Sequence, residues 1–554
     1  EKFVGLFAVY DAPENFIALY FEGDYTVDWG DGNIENFASG DKAQHSYAWG
    51  DIDAGTLTTD GYRQVLVTVT PQSGSNLTQM DLSVRHDNII PTFNDSSTPF
   101  LDIAVSMPNA TSGKSIVFQF ELNRLFEVKR IHIVNAGGAT DFSSAFSYAF
   151  NIRSIIIDKS PNANNFYYAF DHCTSLTDIS LSDTSSVTNM GGMFQDCHSL
   201  TTVPLFDTSS VTNMSGMFQY CSLLVTVPLF VTSSVTDMNY MFNNCLSLTT
   251  VPLFDTSSVT DMNYMFNNCL SLTTVPLFDT SSVTDMVSMF DYCPSLTTVP
   301  LFDTSSVTNM EGMFNSCTAL TTVPLFDTSS VTNMGGMFNY CLSLTTVPLF
   351  DTSSVIYMNS MFQECSSLTT VPLFVTSSVT NMGGMFSSCQ SLTTVPLFDT
   401  SSVTNMYGMF DYCTALTTVP LFDTSSVTNM GNMFDYCTAL TTVPLFDTSS
   451  VTGMDGMFYN CSSLVTVPAF DTSSVTDMGS VVGNCFSLQS APFNGTVVDI
   501  NYDYCLLGYQ AIVDIFNGLG NASATINVSN NYGTASLTQS DLDIAINKGW
   551  TVIT

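Results

Sequence analysis

Fourteen of the fifteen cysteines in this chain stand 24 residues apart, from Cys173 to Cys485 without a slip, and a row of aspartates runs beside them in the same register. Thiols so placed could bridge or hold a soft metal. Stacked carboxylates at Asp255, Asp279, Asp303, Asp327 and Asp351 could share a line of calcium ions. Equivalent side chains on adjacent coils lie parallel and about 4.8 Å apart, beyond the ~3.8 Å between Cβ atoms that a disulfide prefers. No Cys-x-x-Cys and no paired histidine accompanies the thiols, so they read as small buried core residues. Unbridged thiols in that number point to folding in a reducing cytosol. For the aspartates, capping of the turn Asp-Thr-Ser-Ser outweighs calcium, because Val231 and Val375 interrupt the row without disturbing its register. The Met-x-x-Met-Phe rows read as core, not as a cofactor stripe. His45, His86, His132, His172 and His198 are scattered, and no nucleophile, base and orienting group recur. Neither an enzyme nor a cofactor is expected.

A fixed period of this size means one supersecondary unit per repeat, stacked on its neighbours to bury a shared core. The repeat is Leu-Phe-Asp-Thr-Ser-Ser-Val-Thr-(Asn/Asp)-Met-x-x-Met-Phe-x-x-Cys-x-x-Leu-x-x-Val-Pro, as in residues 205–228. In it, Leu-x-x-Val-Pro-Leu-Phe reads as the principal strand and Val-Thr-Asn-Met as a second short strand. The segment x-x-Met-Phe-x-x-Cys reads as one or two helical turns with Met, Phe and Cys inward. Degenerate copies reach back to Val128 and Ile131. The fold expected is mostly β with short helical segments: an N-terminal β-sandwich, a leucine-rich-repeat-like solenoid of about 15 coils roughly 70 Å long, and an α/β C-terminal cap. The boundaries drawn are 1–71 for the sandwich, 72–127 for a β-rich connector covering the first coil, 128–493 for the solenoid and 494–554 for the cap. Within the cap, 510–519 and 536–548 read as helices, the second with Thr538 and Ser540 as candidate caps, and 524–528 as a strand. In the connector, 115–120 reads as a strand.

Val27-Asp28-Trp29-Gly30-Asp31-Gly32, then His45-Ser46-Tyr47, then Gly61-Tyr62 leading into the strand 65–70, resembles a PKD-type domain, an immunoglobulin-like module. The Val-Thr-Asn-Met-x-x-Met-Phe-x-x-Cys-x-x-Leu signature resembles BspA-like leucine-rich-repeat surface proteins, including the form in mycoplasma surface lipoproteins. That resemblance implies surface display with adhesion or partner binding. The repeats behind a Trp-Gly-Asp-Gly domain and the strand of residues 61–72 are also similar to predicted proteins of marine phages.

The net charge is −38 from only 11 basic residues, none of them between Lys159 and Lys548. A nucleic-acid partner is therefore excluded, since no cation displaces counterions from phosphate, and docking on an anionic bilayer fails for the same reason. No apolar run approaches the ~20 residues of a membrane span, so membrane insertion is not expected. Inside the repeat, the core and turn positions barely vary, whereas the pairs after the first Met and before the Cys change freely. They carry Tyr220, Tyr240, Tyr264, Tyr292, Tyr340, Tyr407, Tyr412, Tyr436 and Tyr459, which are expected to line one exposed binding face. The leading expectation is a phage virion surface component, a fibre or decoration, that binds a protein or glycan on a host surface and meets other virion proteins through its N-terminal domain. Alternatives are a secreted or cell-surface bacterial adhesin, and a homo-oligomeric filament or lattice.

Overall fold

The computed structural model describes residues 1–12, 15–88, 100–113, 116–118 and 128–554, in two compact units, Glu1–Ser282 and Val283–Thr554. The first unit begins with β1 (Lys2–Val9), β2 (Phe16–Glu22), β3 (Tyr25–Asp28), β4 (Ile34–Phe37), β5 (Lys42–Ser46), β6 (Arg63–Pro71), β7 (Gln79–Asp81), β8 (Phe100–Ser106) and β9 (Ile116–Val117). Three strands of the first coils follow: β10 (Arg130–Asn135), β11 (Ser154–Ile157) and β12 (Asp178–Leu181). They assemble into a sheet of order β12-β11-β10-β8-β1-β6-β3-β4 and a second of order β5-β2-β7-β9. Phe3 of one sheet meets Phe21 of the other edge to face at 5.8 Å, closing the expected sandwich. Of the strand expected at 115–120, Ile116–Val117 is formed, and residues 115, 119 and 120 lie outside the described residues.

Strand β8 pairs antiparallel with β1 on one side and parallel with β10 on the other. The sandwich thus hands its sheet directly to the coils. In β10, β11 and β12 the strand position holds no proline and a regular parallel ladder forms. From Pro204 onward each coil places Pro there, and no regular strand continues. Proline removes a ladder donor, and the surviving bond stretches from 3.1 Å at Val225 to 3.5 Å at Thr273. Beyond the Pro, Phe254 N donates to Pro252 O at 3.0 Å, the i to i+2 bond of a γ-turn, and Phe278 repeats it. The expected principal strand is therefore replaced by an extended segment ending in a tight turn. Likewise, Val-Thr-Asn-Met supplies one parallel bridge per coil, as at Asn189 and Asn213, in place of a strand.

The Met-x-x-Met-Phe-x-x-Cys segment is not helical. Gly216, Phe218 and Tyr220 send their N–H groups sideways to Asn239, Met241 and Asn243 of the next coil at 2.8–2.9 Å. The intervening Met217, Gln219 and Cys221 donate three residues back within the coil at 3.0–3.2 Å. An α-helix would need every one of these donors for its own i−4 carbonyl, and half are committed elsewhere. The result is a run of turns in which the residue before the second Met and the residue before Cys take positive φ, 58° at Gly216 and 62° at Tyr220. The two Met, the Phe and the Cys point into the core and are fully buried.

Each corner is built as the capping reading expects. Asp207 Oδ1 accepts from Ser209 N at 3.0 Å and from Ser209 Oγ at 2.6 Å. These bonds hold the Asp207 carboxyl below its ordinary range. The buried Thr208 hydroxyl donates to Val231 O of the next coil at 2.8 Å, and Thr352 does the same to Val375 O at 2.6 Å. A backbone carbonyl suffices there, which is why Val231 and Val375 break the carboxylate row without breaking the coil.

The thiols are free and buried. Cys221 Sγ donates to Phe194 O at 3.0 Å, and Cys437 to Phe410 O at 3.1 Å. Burial pushes each of these thiols well above its usual range, and Cys505 to about 12. In native buffer at pH 8 an aromatic disulfide reagent is expected to label none of them, and all fifteen after unfolding in guanidinium; one or more fast native equivalents would contradict this packing.

The second unit repeats the same coil until β13 (Ile500–Asn501), then adds α1 (Tyr509–Gly518), β14 (Thr525–Asn527), α2 (Gln539–Ile546) and β15 (Thr551–Ile553). Coil geometry persists into this region: Asp503 N donates to Asn501 Oδ1 at 2.9 Å, and Tyr504 has φ 59°. Strands β13, β14 and β15 pair in parallel in that order. Thr538 caps α2 by a box with Asp541, whose Oδ2 accepts from Thr538 N at 2.8 Å, whereas Ser540 lies inside the helix. Among the described residues no helix is long and apolar enough to cross a membrane.

Candidate binding face

The variable pairs come to the surface because the left-handed turns that hold them lie between inward-facing Met, Phe and Cys. Left-handed backbone favours Gly, Asn and Asp, and it accounts for Gly216, Asn244, Gly336, Asn432 and Asn460. It does not account for tyrosine, a bulky residue at which positive φ is a genuine outlier. Tyr220, Tyr240, Tyr264, Tyr292, Tyr340, Tyr412 and Tyr436 all adopt φ between 54° and 62°. Tyr407 and Tyr459 occupy the other position of their pairs.

Exposure divides the tyrosines. Tyr292 is 55% exposed, and Tyr340, Tyr407 and Tyr412 are each 40% or more, whereas Tyr240, Tyr264, Tyr436 and Tyr459 are half-buried. Adjacent coils stack some of them: Tyr240 on Tyr264 at 4.8 Å and 8°, and Tyr412 on Tyr436 at 4.2 Å and 11°. Such stacks offset part of the cost of the strained backbone. Tyr459 meets Tyr436 edge to face at 6.0 Å.

Where a coil carries only small residues, the face is notched. Gly383, Gly384 and Ser387 floor a recess of about 320 Å³ walled by Asn359, Gln363 and Tyr407 and reaching Asp411. Side chains at the glycines would close it, since a Cβ on Gly383 would stand 3.1 Å from Asn405 Nδ2 and one on Gly384 3.2 Å from Ser360 Oγ. Asn432 Nδ2 donates to Tyr407 Oη at 2.7 Å and fixes that ring.

Behind the Tyr412–Tyr436 stack lie two carboxyls whose importance the sequence does not announce. Asp411 Oδ1 and Asp435 Oδ1 are buried without a hydrogen-bond partner. Burial, with repulsion from Asp435 and Glu364, pushes the Asp411 carboxyl up to about 7, against a lowering bond from Tyr412 N. Burial takes Asp435 to about 6. Their shared slot, 24 residues apart before a Tyr-Cys pair, is the signal that could have found them. The same slot rule brings His172 beside Asp196, with His198 close by, so these two histidines are not scattered after all.

The aspartates weighed for calcium, among them Asp255, Asp279, Asp327 and Asp351, each commit Oδ1 to the N–H and hydroxyl of the serine two residues on. Asp303 does likewise with Ser305. Among the described residues the only group of three or more His, Cys, Asp or Glu side chains close enough to hold an ion lies elsewhere, at Asp171, His172 and Asp196.

Three solved structures give the setting. A leucine-rich cell surface protein from Faecalibacterium prausnitzii is 18% identical, over 74% of this chain and 95% of that one, with a TM-score of 0.29. A leucine-rich-repeat protein from Eubacterium ventriosum is 17% identical over 70% and 90%, at 0.36, and the pneumococcal vaccine antigen PcpA is 11% identical over 72% and 98%, at 0.35. At such low TM-scores none of these likenesses bears on function. No curated protein matches the sequence. The repeats match one family model at residues 164–272, 226–321, 297–397 and 391–494, which together span more than half of the chain without a gap. The chain belongs to the family described as Mycoplasma protein of unknown function, DUF285.

Proposed function

We propose that the protein is a surface-displayed, non-enzymatic recognition scaffold whose variable pairs contact a protein or glycan on a host or in the environment. The observation that carries this reading is tyrosine held in left-handed backbone at exposed positions. The coil does not need it there, because Gly, Asn and Ser fill the same slots, and each such residue costs ~1–2 kcal/mol relative to glycine. Tyrosine supplies contact area at small entropy cost, so a ligand that covers the exposed rings would repay the strain that stacking between coils leaves. The recess between Asn359 and Asp411 offers amide, hydroxyl and carboxyl groups beside the Tyr407 ring, a mixture suited to polar ligands.

The display platform on this reading is a phage virion, with the N-terminal sheets engaging other virion proteins. Buried free thiols favour a protein that folds in a reducing cytosol before release, and an exported bacterial adhesin is the alternative. Immunogold labelling of phage particles and of cells separates the two, and gold confined to cell interiors would sink both. For the face itself, the combined substitution Tyr292→Ala, Tyr340→Ala and Tyr412→Ala is expected to weaken adhesion to the labelled host at least about tenfold, with the melting midpoint lowered only slightly, by the loss of the Tyr412–Tyr436 stack. Unchanged adhesion would remove the tyrosines from the binding face.

A further inference from the structure

We propose that the recess floored by Gly383, Gly384 and Ser387 binds one neutral sugar unit, an assignment that rests on the recognition role proposed above. The recess arises from a gap in a side-chain ladder. Two residues before each Cys, most coils place an amide or a carboxyl, and these bond from coil to coil. Gln219 Nε2 donates to Asn243 Oδ1 at 3.2 Å, Asn243 Nδ2 to Asn267 Oδ1 at 2.8 Å, and Asn315 Nδ2 to Asp291 Oδ1 at 2.8 Å. Ser387 stands in that slot between Gln363 and Asp411, and its side chain is too short to reach either. Polar groups are left over around one cavity. Asp411 Oδ1 has no hydrogen-bond partner. Among the described residues neither the Gln363 amide nor the Ser387 hydroxyl bonds to protein. Ser387 is only 7% exposed, and the recess it lines is where it meets solvent. A buried hydroxyl without a partner carries a desolvation cost that a ligand in the recess removes.

The floor and one wall are held in place. Gln363 Oε1 lies 3.9 Å from where a Cβ on Gly384 would stand, and Asn405 Nδ2 lies 3.1 Å from one on Gly383, so bare backbone keeps these amides open to a ligand. Gly383 N donates to Asn381 Oδ1 at 2.9 Å, and Asn405 Nδ2 donates to the same oxygen at 3.1 Å, which fixes the base. The Tyr407 ring packs over Gly431, its Cδ2 and Cε2 3.1 Å from where a Cβ would stand there, and Asn432 ties its hydroxyl. A ligand therefore orders few side chains when it binds, and the entropy cost stays small.

A volume of about 320 Å³ stands near the low end of small-ligand sites, roughly 300–1,000 Å³, and suits a mono- or disaccharide. The lining chemistry selects within that size. The Asn359 and Gln363 amides and the Ser387 hydroxyl both donate and accept, and the Asp411 carboxyl bonds a hydroxyl whether or not it is protonated. That set matches the adjacent hydroxyls of a sugar, while the Tyr407 ring offers a flat face to the C–H side of a pyranose. Lys548 is the only basic residue of the second unit, and its ammonium is spent on the carbonyls of Phe516, Asn517 and Leu519. No cation is at hand for a phosphate, sulfate or carboxylate, so acidic sugars meet only repulsion.

The test uses the full chain and the methyl glycosides of glucose, galactose, mannose, N-acetylglucosamine and N-acetylgalactosamine, read by saturation-transfer NMR and calorimetry. Glucuronic acid and N-acetylneuraminic acid serve as anionic counterparts. At least one neutral glycoside is expected to bind at a single site, and the anionic pair at least about tenfold more weakly. Two variants should close the recess with residues the coil already accepts. Ser387→Gln restores what Gln363 supplies one coil earlier, and Gly383→Asn with Gly384→Ser restores Asn359 and Ser360. Each should weaken the glycoside at least about tenfold, and Ser387→Gln should hold or raise the melting midpoint, because its amide can complete the ladder to Asp411. Asp447→Asn, in a corner turn, should leave binding unchanged. No neutral glycoside bound, wild-type affinity in both recess variants, or equal binding of the anionic pair would overturn the site. Host adhesion that the tyrosine variant loses and both recess variants keep would also overturn it, and would leave the wider recognition face standing.

Discussion

Replacing Phe338 with Ala is expected to cost about 3–5 kcal/mol of local stability in the second unit, the largest single effect at any position considered. Phe338 is fully buried and stacks on Phe314 at 5.7 Å and 6°, on Phe362 at 5.7 Å and 8°, and on Phe350 at 6.2 Å. Removing the ring takes away its own burial and one face of each of three neighbours, and stacked coils held by inter-coil bonds cannot collapse into the space. Each coil depends on its nearest neighbours, so the damage should stay near the lesion. Native-state hydrogen exchange reads it directly: the amides of Gly336, Phe338 and Tyr340, bonded to Asn359, Met361 and Gln363, should exchange more than a hundredfold faster than in the wild type. Amides near Met454 should hardly change. Acceleration under tenfold would mean the ring row contributes far less than its burial implies.

The second large effect is electrostatic. Replacing both Asp411 and Asp435 with Asn should stabilise the second unit at pH 8 by on the order of 2 kcal/mol, after discounting for the half-exposed side chains. The sign follows from the direction of the shifts. In the unfolded chain these carboxyls titrate near 4, and in the fold at about 7 and about 6. Between those limits the native state holds more protons than the unfolded state, so stability falls as pH rises through the window and is flat above it. Corner aspartates such as Asp351, Asp399 and Asp447 act oppositely. Serine hydroxyl bonds lower them, so their contribution is lost as pH falls below the unfolded value. The wild type should therefore be most stable in mildly acidic solution, and the double variant should lose the decline from pH 5 to 8. Urea titrations at pH 5 and 8 check this, and an undiminished decline in the variant would show that other groups cause it.

Legibility of the molecule from its residues differed by level. The 24-residue clock, the inward Met, Phe and Cys rows, the corner bonded by Asp and Ser, and the Thr538 cap all follow from side-chain type and spacing, and each is a local or strictly periodic property. The helical reading of Met-Phe-x-x-Cys failed for a reason no single repeat contains. Spacing of four between inward residues is shared by an α-helix and by a run of turns, and only the next coil's carbonyls at Asn239, Met241 and Asn243 draw alternate N–H groups away from the helical partners. The strand reading of Val-Pro-Leu-Phe failed similarly, because one missing donor matters only when its acceptor is another coil.

The candidate surfaces divide along the same line. Variation between repeats marks the tyrosine pairs, and the sequence by itself determines which residues share a slot. Tertiary structure alone decides that those slots are left-handed, that two glycines open a notch beside Tyr407, and that Asp171, His172 and Asp196 come together. The physical reason is that stacking converts a separation of 24 residues into contact, while the direction of each side chain depends on backbone angles that inter-coil hydrogen bonds impose.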